Sequence, residues 1–191
     1  MEDAMRMKAA VLAVTLCMFA GSAYAGSTWI GGNAGVGLPT GDYGNLASTG
    51  WNVGGTAMRQ VNENWSFGGE LGYHSWGGSN LVNVAGDKWN FSAVQATGQT
   101  RFMIPSSGNV KPYLSGGVGL YSFGAKLTSA SGDMSTSESD MGFNFGAGMN
   151  FMSKGSSVWG FDGSYHVINT SGTVDATGFN LGVHMLWDVS H

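Results

Sequence analysis

Apolar and polar residues alternate with a period of two along most of the chain. From Trp65 to His74, Trp65, Phe67, Gly69, Leu71 and Tyr73 share one side, and Ser66, Gly68, Glu70, Gly72 and His74 share the other. Successive side chains of a β-strand point to opposite faces, so this spacing predicts a strand with one greasy face and one small or polar face. The pattern returns over 141–151, where Met141, Phe143, Phe145, Ala147, Met149 and Phe151 oppose Gly142, Asn144, Gly146, Gly148 and Asn150. It returns again over 178–187, with Phe179, Leu181, Val183, Met185 and Trp187 opposite Gly178, Asn180, Gly182, His184 and Leu186. Weaker versions cover 28–38, 51–59, 94–104, 112–124 and 159–167, and bring the total to eight strands.

The joins between these strands alternate in length. Polar or glycine-rich stretches near 39–50, 75–88, 125–139 and, more briefly, 169–175 are interleaved with tight joins near 60–64, 105–111 and 152–156. Strands of about nine to eleven residues suit a tilted crossing of the hydrocarbon layer, and a sheet in lipid must close to leave no unpaired backbone edge. The expectation is an all-β, eight-stranded antiparallel up-and-down transmembrane β-barrel, with short turns at one end and longer loops at the other.

The chemistry of the two faces separates a membrane barrel from a soluble one. The polar face is built from glycine, asparagine, serine and glutamine with few charges, which makes a poor water-facing coat and a reasonable hydrogen-bonded lumen. Six tryptophans near strand ends, Trp29, Trp51, Trp65, Trp89, Trp159 and Trp187, are expected in interfacial belts. The competing assignment is a soluble sandwich with these aromatics in its core.

Composition sharpens this picture. Charged residues are 10% of the 191-residue chain, far below the roughly 25% usual in soluble domains. The net charge is -4, and the eight Lys and Arg residues are scattered singly, which argues against nucleic-acid binding. At the amino end, Arg6 and Lys8 precede the apolar run 9–20, and Ala23-Tyr24-Ala25 follows as a small-residue cleavage site. Residues 1–25 are therefore read as a signal peptide and 26–191 as the barrel. The run is too short for a spanning anchor. Leu16 before the lone Cys17 speaks against lipid attachment, and removal of the leader would leave a chain without cysteine.

Three segments carry a family resemblance: Trp29-Ile30-Gly31-Gly32-Asn33-Ala34-Gly35-Val36-Gly37, Phe67-Gly68-Gly69-Glu70-Leu71-Gly72-Tyr73, and Lys111-Pro112-Tyr113-Leu114-Ser115-Gly116-Gly117-Val118-Gly119-Leu120-Tyr121. With them the chain resembles the small eight-stranded OmpA-like and OmpX-like barrels of Gram-negative outer membranes. That resemblance implies residence in the cell outer membrane among outer-membrane lipid and lipopolysaccharide. It also implies dependence on periplasmic chaperones and the barrel-insertion machinery during assembly. The ending Trp187-Asp188-Val189-Ser190-His191 departs from the terminal aromatic such barrels usually carry.

Candidate chemistry is sparse. Glu70, His74, Arg101, Asp162, His166 and His184 fall on the inward parity, and burial of charge in a narrow lumen requires partners. The expected lumen network therefore has Glu70 and Asp162 competing for or bridging to Arg101, with His166 and His184 beside them. Asp162, Ser164 and His166 alternate along one strand, a spacing expected to hold serine and histidine apart in a line. No catalytic, cofactor or metal residues are assigned, and Asp133, Glu138 and Asp140 are read as a solvated loop tip. The expected function is a structural or surface-interaction barrel, with an extracellular or host ligand met by the loops and adhesion as one version. The alternative is a narrow channel for ions or small solutes, encouraged by inward Gly68, Gly72, Gly142, Gly146, Gly178 and Gly182; a lipid-modifying enzyme comes third.

Overall fold

The computed structural model describes residues 26–79, 88–129, 132–152, 156–169 and 176–190; the leader expected over 1–25 lies outside them. Eight strands follow in chain order: β1 Thr28–Thr40, β2 Ala47–Gln60, β3 Trp65–Gly78, β4 Lys88–Met103, β5 Val110–Ser129, β6 Gly132–Met152, β7 Ser157–Ile168 and β8 Ala176–Asp188. Each pairs antiparallel with the next, and β1 pairs with β8 from Trp29↔Asp188 to Thr40↔Thr177, so the sheet is a closed barrel. No helix among the described residues is long and apolar enough to cross a membrane. Closure answers the same need in a different way, because backbone groups in the wall find partners across the ladders.

Inward and outward parity follows the alternation. In β4, Gln95, Thr97 and Gln99 are buried in the lumen while Val94 is 54% exposed on the wall. Leu71, Phe143, Phe145, Leu181 and Val183 are likewise exposed on the outer surface. A water-soluble protein of this size would bury such side chains; here they form a continuous apolar band around the barrel.

Two of the six belt tryptophans face the other way. Trp29 shares the inward parity of Gly31, Asn33 and Gly37 and lines the lumen mouth at the short-turn end. Trp89 shares the parity of Ala93 and Gln95 and stacks on Phe91, with centroids 6.2 Å apart. Trp51, Trp65, Trp159 and Trp187 do face outward.

The long-loop end holds two further corrections. The stretch 39–50 is no plain loop: it contains the short helix α1, Gly41–Leu46, and the start of β2. The described residues of the stretch 125–139 are strand, because β5 and β6 stay paired from Val110↔Phe151 out to Ser129↔Gly132. The β4–β5 ladder reaches Lys88↔Thr128, whereas the β6–β7 ladder ends at Gly142↔Ile168. At ~3.3 Å per residue, a strand of 20 residues such as β5 is about twice as long as the roughly ten needed to cross. The outer parts of β4, β5 and β6 therefore form a flap that stands beyond the barrel mouth.

Candidate functional site

The lumen is a stack of layers. At the long-loop mouth, α1 drops Tyr43 into the barrel, where it joins Ala47, Trp76, Ala93, Tyr121, Ile168 and Ala176. Tyr43 meets Trp76, Phe91 and Phe123 edge-on, with ring centroids 5.8, 6.0 and 6.3 Å away. Burial pushes the Tyr43 phenol well above its ordinary range, so it stays neutral in this apolar cap. At the opposite end Met58, Val158 and Leu186, all nearly inaccessible, make a second apolar layer.

Between the caps the polar side chains bond to one another. Gln95 donates through Nε2 to Glu70 Oε1 at 2.7 Å and accepts on Oε1 from His74 Nε2 at 2.9 Å. His166 Nδ1 donates to the Tyr121 hydroxyl at 3.1 Å, which also accepts from Asn144 Nδ2 at 3.2 Å. Asn180 Nδ2 donates to His166 Nε2 at 2.9 Å, and its Oδ1 accepts from Asn52 Nδ2. Lower down, His184 bonds to Asp162 Oδ2 through Nδ1 and to Asn150 Oδ1 through Nε2, each at 2.8 Å. These strands reach one another across the lumen because an eight-stranded interior is just wide enough for side chains to fill it.

Glu70, Arg101, Asp162 and His166 thus line one polar cavity of about 50 Å³, and His184 joins them through Asp162. The pairing within the group differs from the one expected. Glu70 takes the neutral amide of Gln95, Asp162 takes His184, and the Arg101 guanidinium lies over the Tyr113 ring, 4.9 Å from its centroid. Sequence reasoning missed Gln95, Asn144, Asn150 and Tyr121, which supply most of the bonds. Their inward parity is the signal that the sequence carries.

Ser164 and His166 correct a second expectation. Their side chains are in contact, with Ser164 Oγ donating to His166 Nε2 at 3.0 Å. The imidazole is long enough to bend back along the strand. The remaining ring nitrogen, however, faces the Tyr121 hydroxyl rather than a carboxylate, so the orienting acid of a nucleophile-base-acid triad is absent from this contact.

The inward glycines make room for large neighbours. An ideal Cβ on Gly72 would lie 3.0 Å from Gln95 Cγ, and one on Gly142 would lie 2.9 Å from Tyr121 Cε2. Behind the Tyr43 cap the free space is about 30 Å³, enough for about one water molecule. Outside the barrel, Lys126 pairs with Asp133 at 2.8 Å across the flap, and every residue from Gly132 to Ser139 is exposed. Among the described residues no cluster of three or more His, Cys, Asp or Glu is arranged to hold a metal ion.

A closed antiparallel barrel with an apolar outer band, aromatic wall residues and a packed polar lumen defines a β-barrel protein of the bacterial outer membrane. The chain belongs to the family described as outer membrane protein beta-barrel domain, whose pattern it matches over residues 9–185. It is therefore an outer-membrane protein. Among solved structures it is similar to Neisserial surface protein A, with 15% identity and a TM-score of 0.62 over 88% of this chain and 99% of that one. It is similar to Ail, the attachment invasion locus protein of Yersinia pestis solved with the heparin analogue sucrose octasulfate, with 21% identity and a TM-score of 0.53 over 85% and 97%. It is also similar to OprG from Pseudomonas aeruginosa, with 16% identity and a TM-score of 0.54 over 85% and 93%. No curated protein sequence matches the chain. These likenesses carry the fold.

Proposed function

We propose that this protein is a non-conducting surface barrel whose flap, formed by the outer parts of β4, β5 and β6, engages a partner outside the cell. The observation that carries this reading is the pairing of β5 with β6 to Ser129↔Gly132, far beyond the end of the β6–β7 ladder at Gly142↔Ile168. The membrane does not require that extra length, and its side chains are turned to water. The lumen supports the same reading. The Tyr43 cap and the bonded side chains beneath it leave only small cavities along the upper and middle lumen.

Ail was solved with a sulfated heparin analogue, and polyanion binding is one activity to weigh for this flap. Its charges argue against it: the exposed Asp133 and Glu138 balance Lys88 and Lys126, and Lys126 is already paired with Asp133. A partner surface of low charge fits better.

The test uses a variant in which residues 125–136 are replaced by Asn-Gly, which joins the register pair Gly124↔Ser137 through a two-residue turn. Cells expressing the variant should keep the protein in the outer membrane but lose attachment to epithelial monolayers and to one another. The intact barrel in planar bilayers should show no steady open state. Undiminished attachment, or a steady conductance, would overturn the reading.

A further inference from the structure

The short-turn end of the barrel holds a cavity of about 380 Å³, whose lining includes Arg101, Lys111, Asn150 and Trp29. That volume lies in the range of small-molecule sites, and the space is much larger than the cavities deeper in the lumen. Its walls are mixed in a consistent way. Met58, Met103, Val158 and Leu186 supply an apolar surface, while Arg101 and Lys111 add positive charge beside amides, hydroxyls and the single carboxylate of Glu63.

Arg101 is the central donor. A guanidinium carries five N–H groups in a fork that matches a carboxylate. Among the described residues it meets the Tyr113 ring face, with Glu70 near enough to attract it but bonded to Gln95, and with Asp162 bonded to His184. Asn150 adds a second donor: its Oδ1 is taken by His184, but the nearest acceptor to its Nδ2 is the Met103 sulfur at 3.9 Å, a weak one. Lys111 is held at the rim by the Ser106 carbonyl. Glu63 is the one acidic side chain in the lining, so the cavity carries a net positive charge within a chain of net charge -4.

We infer that this cavity is a binding site for a small organic carboxylate with a compact apolar body, entering from the short-turn side, which is the periplasmic side of such a barrel. The carboxylate meets the Arg101 fork and the Asn150 amide, and the body packs on Met58, Met103, Val158 and Leu186. Glu70 and Asp162 lie on the far side of Arg101, around the mid-lumen cavity that Arg101 also lines. They weaken the site without occupying the face that opens to the periplasm. This inference does not depend on what the flap binds.

The probe is 4-fluorophenylacetate, followed by fluorine NMR line broadening with the full barrel in zwitterionic lipid nanodiscs, against 4-fluorophenylacetamide as a neutral isostere. The carboxylate should broaden saturably and the amide should not. Arg101→Gln should weaken binding at least tenfold, and Arg101→Lys less. Because Arg101 sits in the lumen, Met103→Trp, which fills the cavity and leaves its charges alone, is the second variant and should abolish the broadening. Equal broadening by the amide, unchanged binding in a folded Arg101→Gln barrel, or unchanged binding in Met103→Trp would each overturn the assignment.

Discussion

Gly148 lies against Tyr113 so closely that a Cβ built on the glycine would sit 2.5 Å from both Cζ and the hydroxyl oxygen of the phenol. The two are register partners on β6 and β5, and Tyr113 is 2% exposed. The largest fully buried ring of the lower lumen therefore depends on the absence of a side chain opposite it. Gly148→Ala forces Tyr113 or the wall to shift, and overpacking of this kind costs roughly 1–3 kcal/mol. Guanidinium titration of the refolded barrel should show an earlier midpoint. A midpoint matching the parent would mean that Tyr113 has a second place to go.

Tyr43 closes the long-loop mouth from a six-residue helix. Tyr43→Ala should lower the unfolding free energy by about 3 kcal/mol, the scale of emptying a buried aromatic site. It should not open a channel, because the hydrogen-bonded side chains below the cap still fill the lumen. Bilayer recordings of the variant check this directly, and a steady conductance would show that Tyr43 alone is the barrier.

His184 on β8 ties three strands together through Asp162 on β7 and Asn150 on β6. His184→Leu leaves a carboxylate and an amide oxygen without their donor, a loss of roughly 1–3 kcal/mol. Asp162→Asn keeps the oxygen acceptor and removes the charge, so its thermal shift on heat-modified gels should be smaller. Equal shifts would assign the stability to charge rather than to hydrogen bonding.

Ser164 touches His166, but Tyr121 occupies the place where an orienting acid would be. A fluorophosphonate probe should leave Ser164 unlabelled in the intact barrel, as read by peptide mass. Labelling that disappears in His166→Gln would turn this pair into a working dyad.

The alternation of Phe143, Phe145 and Met149 with Asn144, Gly146 and Gly148 was enough to read the strands, their number and the two faces of β6. The wall imposes that pattern, because lipid outside and side chains inside select different residues at every step. Beyond the membrane the selection stops. Asp133 to Ser139 meets water on both faces, so the period fades and the outer part of β6 looks like a loop in the sequence. The helix carrying Tyr43 is too short to show a period of its own, and its place is fixed by the aromatics it meets. Glu70 and Asp162 line the lumen, and their partners are Gln95 and His184 on neighbouring strands. Which inward residues meet depends on stagger around the wall, which the linear spacing along one strand does not contain.

The seam between β1 and β8 sets a rule about time. Thr40 bonds to Thr177 across 137 positions of chain, and the ladder beside that contact joins the first strand to the last. Until β8 arrives, β1 offers a row of unanswered backbone groups, and any such edge recruits the wrong neighbour. Contacts this distant form late and slowly. The wall therefore cannot be finished piece by piece as the chain emerges, and the unclosed sheet has to be kept from its own kind until the final strand docks.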